Sequence, residues 1–252
     1  MRKIGSDVVI KEGAILGKNV IIDDNVYIDH YAIIRDNVHI KKDSYIGSGC
    51  VIGEYQSDCL LDRKNAKSPL LEIGEGAIIR SGTIIYSGSS IGKKFQTGHR
   101  ATIRENCRLG DNVRVGTESD VQHSCVIGNY VSLHSNVFIG EKTILEDFVW
   151  LFPGVTITND PTPPSNVLMP VTVKRYAVVC ARVTILPGIV IGEGSLIGAG
   201  TVVTKNVDNE MVVVGNPGRV IDSIHNIKNK DTGENAYPWR EHFDRGMPWS
   251  LR

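Results

Sequence analysis

His123, Glu141 and Asn159 are equally spaced in the chain, and Glu105 stands one such interval before His123. An imidazole, a carboxylate and an amide can take a proton, hold a charge and orient an acceptor. Acyl transfer to an amine needs these groups, because the nucleophile must shed a proton as the tetrahedral intermediate forms or collapses. Imidazole titrates near neutrality and suits a general base. One position further along lie Ser124, Lys142 and Asp160, at the same interval. A second histidine, His134, directly follows Leu133. The spacing is useful only if that interval returns the chain to the same place.

A six-residue period supplies the return. Aliphatic residues recur at Ile4, Ile10, Leu16 and every sixth position to Ile52. They recur again from Ile73 to Ile157, with a single slip at Thr97, and from Val173 to Val203. The residue two places earlier is small or β-branched, as at Ala14, Val20, Ala77 and Ala101. The residue after is often glycine, as at Gly17, Gly92 and Gly110, and is read here as a tolerant corner. A helix repeats near 3.6 and a simple strand at 2, so a strict six belongs to a parallel β-helix. Three hexads close a triangular coil, and three hexads are the interval from His123 to Glu141. The runs predict about ten coils, about 48 Å long at a strand spacing of about 4.8 Å. No coil buries its own core, so stability comes from stacking.

Residues three hexads apart therefore share a face and differ by one coil in height. Glu105, His123, Glu141 and Asn159 form one predicted column. The expected fold is all-β, with the β-helix over 1–205 and a partly helical C-terminal segment over 206–252. Two polar stretches break the period, at 54–72 and 158–172, and are read as loops extruded from a corner. The second carries four prolines, which deny ladder hydrogen bonds. Loops on a rigid scaffold concentrate function. Trp239, Phe243 and Trp249 are read as pinning the tail to the prism or to a neighbouring subunit.

Composition narrows the function. Lys plus Arg and Asp plus Glu balance at 28 each, which predicts no attraction to nucleic acid or to a membrane surface. No apolar run approaches a membrane span, and the opening MRKIGSDVVI enters the repeat at once, so no signal peptide is expected. Five cysteines without paired spacing point to a reducing cytoplasm. Cys107 and Cys125 hold the small inward position and are read as buried hydrophobes. No close histidine pair suggests a metal.

The hexads resemble those of the hexapeptide-repeat acyltransferases. So do the proline-rich loop opening with Thr158, Asn159 and Asp160, and the endings IGAGTVVTKNV and VVVGNPGRVI. The resemblance covers nearly the whole chain and implies a left-handed helix, a homotrimer with active sites between adjacent prisms, and acetyl-CoA as co-substrate. Outward Phe148 and Trp150 leave room for such packing. The motifs GEY at Gly53–Tyr55, FQTGHR at Phe95–Arg100, TNDPTPPS at Thr158–Ser165 and the terminal YPWR and RGMPW are similar to nucleotide-sugar N-acetyltransferases. Within these, the closest likeness is to enzymes of dTDP-linked 3-amino-3,6-dideoxyhexoses.

The resemblance assigns candidate roles. His123, with Asn159 and Asp160, would form the catalytic group, as a base or, if the coenzyme A sulfur takes the proton, as a positioning group. Glu141 would support it, and His134 would touch substrate or a subunit interface. Ala181, Ala199 and Gly200 would line the pantetheine arm, with Lys205 and Arg219 meeting the phosphates. Arg80 and Tyr86, at corners often filled by glycine, are further candidates for the nucleotide sugar. His99 is read as an interface or nucleotide contact.

Three rival readings remain. The same fold could acetylate a hydroxyl or a UDP-linked amino sugar. It could be a non-catalytic scaffold, which the polar column argues against. It could be a zinc-dependent carbonic anhydrase, which needs two histidines closer together than His99, His123 and His134 stand.

Overall fold

A computed structural model describes residues 2–62 and 67–251. Residues 63–66 of the first interruption lie outside the described residues. Short strands, most of them two residues long, alternate with corners along the chain. They stack into three parallel sheets that form the faces of a left-handed prism. Among the described residues, the first face runs from Lys3–Ile4 to Val190–Ile191, and the third from Ile15–Leu16 to Val202–Val203, with ten strands each. The second face starts at Val9–Ile10 and reaches twelve strands. Its two additional strands, Met211–Val214 and Arg219–Ser223, follow the last hexad, and the final pairing is antiparallel. The six-residue period stops at Val203, so it could not announce them.

The register is the expected three hexads. Ile103 pairs with Val121, Val121 with Ile139, and Ile139 with Ile157. The hexad pairing resumes after both interruptions: Ile52 meets Ile85, with a one-residue shift beyond it that sets Tyr86 against Glu54, and Leu145 meets Val173. The hexad aliphatics fill the prism; Ile28, Ile34, Ile40, Ile46 and Ile52 are fully buried. Each such side chain contributes about 1.5–3 kcal/mol when removed from water. At the first coil the core runs out, and Ile4 is half exposed. Cys107 and Cys125 are buried in the core. Burial pushes the Cys50 thiol up to about 11.

One reading of the hexad needs physical correction. The glycine after the aliphatic residue does not make the corner. A Cβ on Gly92 would fall into the backbone of Gly110, and one on Gly74 into Gly92. At these glycines the backbone of the next coil lies where a Cβ would stand, whereas the same hexad position elsewhere takes side chains such as Arg80, Gln122 and His134. The left-handed corner residue sits three places after the aliphatic residue and is commonly Asn, as at Asn19, Asn25, Asn37, Asn106 and Asn112. The slip at Thr97 keeps the residue inside. Its hydroxyl accepts from the Arg80 amide at 2.9 Å and meets the Thr83 hydroxyl at 3.1 Å, so the buried polar group is satisfied.

Both interruptions leave the same edge, between the third and first faces. The strand before the first interruption runs to Glu54, and pairing resumes at Leu71; after the second it resumes at Thr172. The tail docks on the second face of its own prism. Trp239 Nε1 donates to the Tyr176 carbonyl at 2.8 Å, and Trp239 and Phe243 meet Trp150 edge-on. Trp249 packs on Phe148. Phe148 and Trp150 are thus covered by this chain's own tail. Among the described residues, no helix is long and apolar enough to cross a membrane.

Candidate active site

The corner after strand Asp120–Val121 carries His123 and Ser124, and Ser124 turns through φ 60°. One coil on, strand Phe138–Ile139 is followed by Glu141 and Lys142, with Lys142 also at φ 60°. Identical turns one strand spacing apart superimpose their side chains. Glu141 Oε1 stands 3.3 Å from His123 Nε2, with each side chain about 30% exposed. A carboxylate only accepts, so Nε2 carries the proton and Nδ1 presents a lone pair. The Ser124 hydroxyl lies 3.2 Å from Nδ1. The result is an imidazole with its tautomer fixed and its basic nitrogen at an open edge.

Asn159 is the next step of the column. Its side chain lies over Gly140, where any Cβ would touch Asn159 Cγ. Its carbonyl accepts from the Met169 amide at 2.7 Å, which ties the two ends of the proline-rich loop. Asp160 turns into that loop. Pro161, Pro163 and Pro164 carry no amide hydrogen, and the two nearby amides that remain, Thr162 and Ser165, both donate to the Asp160 carboxylate. The Ser165 hydroxyl adds a third bond at 2.6 Å and is the main reason the carboxyl lies below the usual range. Asp160 therefore holds the shape of the loop above the column.

Below His123 the edge is charged. Arg104 grips Glu105 through two bonds of 2.8 and 2.9 Å, and its guanidinium lies 4.9 Å over the Tyr86 ring. Burial pushes the Glu105 carboxyl up, but Arg104, a backbone amide and nearby His123 outweigh it and hold it below the usual range. Asp120 differs. Burial raises its carboxyl above the usual range, against Gln122 and Arg104, and its Oδ1 is buried without a partner. Sequence reasoning missed Arg104, Asp120 and the contact of Ser124 with the ring. Their signal was positional, since Arg104 and Glu105 precede Gln122 and His123 by one full coil.

The other candidates occupy the next edge, between the second and third faces. Arg80 and His134 stand there three coils apart. They line one cleft of about 340 Å³ with Arg114 and Trp150. His134 stacks on Phe152 at 4.6 Å, burial lowers its tendency to protonate, and its Nε2 lacks a partner, as does Trp150 Nε1. Arg80 Nη1 donates to the Thr97 carbonyl. Ala181, Ala199 and Gly200 continue this edge upward; a Cβ on Gly200 would meet open space. Arg219 is exposed beside Val214 at the top of the second face. Lys205 is exposed beyond the last strand of the third face, near the His123 edge. Within one prism, then, Tyr86, His123, Glu141, Asn159 and Asp160 share one edge, and Arg80, His134, Ala181, Ala199 and Gly200 share another. The third face separates them. Among the described residues no three His, Cys, Asp or Glu side chains are grouped to hold a metal.

The pattern of the bacterial transferase hexapeptide, in six repeats, matches residues 19–54 and 106–141. The hexapeptide repeat of succinyl-transferase matches residues 3–30 and 166–205. The chain belongs to the hexapeptide-repeat transferase family. It is 32% identical over 111 residues to a serine acetyltransferase of Buchnera aphidicola, covering 43% of this chain and 40% of that one. It is 32% identical over 118 residues to the galactoside O-acetyltransferase of Escherichia coli, covering 38% and 58%. The chain thus spans about half the length of the curated relatives it matches. Among solved structures, the UDP-N-acetylglucosamine O-acyltransferase of Moraxella catarrhalis shares the fold, with a TM-score of 0.52, 19% identity, and coverage of 88% of this chain and 70% of that one.

Proposed function

We propose that the protein is an acetyl-CoA-dependent N-acetyltransferase acting on a nucleotide-linked amino sugar, with the 3-amino group of a dTDP-3-amino-3,6-dideoxyhexose as acceptor. The observation that carries the reading is the His123–Glu141 pair at 3.3 Å on an open edge beneath the proline-rich loop. A neutral amine attacks the thioester carbonyl, and its proton passes to His123 Nδ1 once the Ser124 hydroxyl rotates aside. Glu141 stabilises the imidazolium that forms. Asn159 orients the acceptor, and Asp160 keeps the loop in place above it. The carbon–sulfur bond breaks as the amide forms, and the thiolate leaving group takes up a proton.

The separation of the two candidate edges supports a trimer in which the His123 edge of one subunit faces the His134 edge of the next. The thioester would then lie along Ala181, Ala199 and Gly200, with Arg219 and Lys205 meeting its phosphates. The cleft of Arg80, Arg114, His134 and Trp150, with its two unpartnered ring nitrogens, suits the anionic, aromatic nucleotide. Tyr86 is already stacked by Arg104 and serves the same edge as His123. Free cysteines and the balanced charge fit a cytoplasmic enzyme.

A second reading is a hydroxyl acceptor, favoured by the 32% identity to a galactoside O-acetyltransferase. Thiol release from acetyl-CoA separates the two. Turnover with a dTDP-3-amino sugar supports the amine reading. Turnover only with galactosides or a UDP-linked sugar replaces the acceptor. No release with any acceptor removes the enzymatic reading.

A further inference from the structure

The first interruption builds a second cleft, far from the His123 column. It encloses about 820 Å³ between the described part of the loop and the edge of the lowest coils. Arg35 and Gln122 hold the same place on their coils, each following a stacked aliphatic residue, four pairings apart. At a strand spacing of about 4.8 Å this sets the cleft about 19 Å from His123 along the edge. The loop is clamped on both sides. Asn37 Nδ2 donates to the Ser68 carbonyl at 2.7 Å, and Gln56 Nε2 to the Ser87 carbonyl at 3.0 Å.

Two side chains of this cleft, Arg35 and Ser68, hold buried polar atoms without a partner among the described residues. Arg35 lies 5.0 Å over the Tyr55 ring and bonds Glu54 through one Nη at 3.2 Å. Its Nε is buried without a partner, as is the Ser68 hydroxyl, on a residue more than nine-tenths buried. Each carboxylate of the cleft accepts at least one bond. Asp36 accepts from the Lys18 amide at 2.7 Å, and Glu54 from Arg35 and the Tyr55 amide. Lys18 and Lys67 line the same cleft with no ion pair among the described residues. A buried donor without a partner is costly, and two in one cleft mark a place where acceptor oxygens are missing. A guanidinium held flat by a ring on one side and a carboxylate on the other is a prepared fork for an oxyanion.

We infer that this cleft is an anion site, distinct from the acyl-transfer edge, which takes a pyrophosphate-bearing small molecule. Arg35 supplies the fork, Ser68 a neutral donor after a small rotation, and Lys18 and Lys67 the charge at the rim. The inference is independent of the proposed acetyl transfer.

Titration calorimetry with inorganic pyrophosphate tests it, with dTDP titrated in parallel to separate a free from a nucleotide-borne pyrophosphate. Saturable binding of inorganic pyrophosphate is expected in the wild type; for dTDP, which also has the cleft of Arg80 and His134, only the binding lost in Arg35→Gln counts toward this site. Arg35→Gln should weaken it at least tenfold, and Lys67→Gln, a change at the exposed rim with no fold at stake, about threefold. Thermal melts confirm that Arg35→Gln is folded. His123→Ala should bind as the wild type does. Absence of saturable pyrophosphate binding, with no part of the dTDP binding lost in Arg35→Gln, overturns the site. So does binding that survives unchanged in Arg35→Gln and Lys67→Gln. Thiol release measured on the same preparations reports on the acetyl-transfer reading separately.

Discussion

Glu141 lies one coil above His123, and its carboxylate meets Nε2 at 3.3 Å while Ser124 meets Nδ1 at 3.2 Å. The ring is held at both nitrogens by groups of different character. This arrangement leads to the first prediction. His123→Ala should lower the acetyl-transfer rate by about 10²-fold or more, the range of a lost general base. Glu141→Gln keeps the shape and loses the charge, so a fall of about tenfold is expected, near 1.4 kcal/mol. The loss in Glu141→Gln should fall on kcat rather than KM, because the imidazolium that Glu141 stabilises exists only once the proton has moved. Rates within threefold of wild type in His123→Asn would assign proton acceptance to the coenzyme A sulfur.

The division of the candidate residues between two edges gives a second prediction. If each site joins two subunits, His123→Ala and Ala199→Arg damage opposite halves. Each variant alone should be inactive. Random trimers from an equal mixture should recover about a quarter of wild-type turnover, the chance that an intact edge faces an intact edge. Mixed trimers as inactive as their parents would put the whole site within one prism.

Asp120 gives a third. Its carboxyl is raised by burial, so the folded state holds the proton more tightly than the unfolded chain. The stability this provides is present below the ordinary aspartate range, near pH 3.9, and is lost as pH rises through the folded value. At pH 7 the charged group is a liability. Asp120→Asn should therefore melt at a higher temperature than wild type at pH 7, and the difference should vanish below about pH 4. A lower melting temperature at pH 7 would mean that its attraction to Arg104 outweighs burial.

Coil stacking gives a fourth. Gly92→Ala drives a methyl group into the Gly110 backbone and should cost about 1–3 kcal/mol or more. Gly49→Ala has open space and meets only a left-handed φ of 63°, at a corner type that Asn and Asp fill elsewhere. About 1 kcal/mol is expected there. Equal losses in denaturant titrations would remove close approach as the reason for the first glycine.

The fold was legible because the period is arithmetic: one hexad sets the face and three set the column. The His123, Glu141 and Asn159 column could be read at that level, and the strand pairings carry it from coil to coil up to the proline-rich loop. What the period hides is direction. His123 and His134 are near neighbours in the chain, yet two hexads carry it past two faces, so they stand on different edges. Asp160 continues the Ser124 and Lys142 column by count but bends into its own loop, because the prolines leave that loop short of other partners. Strands Met211–Val214 and Arg219–Ser223 pair without the hexad and so carried no periodic signal. The tail's aromatics were legible as anchors, and only the structure shows which surface receives them.

The register that stacks Ile34, Ile52, Ile85, Ile103 and Val121 turns the edge into a ruler graduated in whole coils. Splicing in or excising one coil of three hexads between Arg35 and His123 would slide the two sites apart or together by one graduation, about 4.8 Å. The surroundings of each would travel with it. Spacing along this molecule is thus a separable variable, set by how many coils are counted out and independent of what each coil carries.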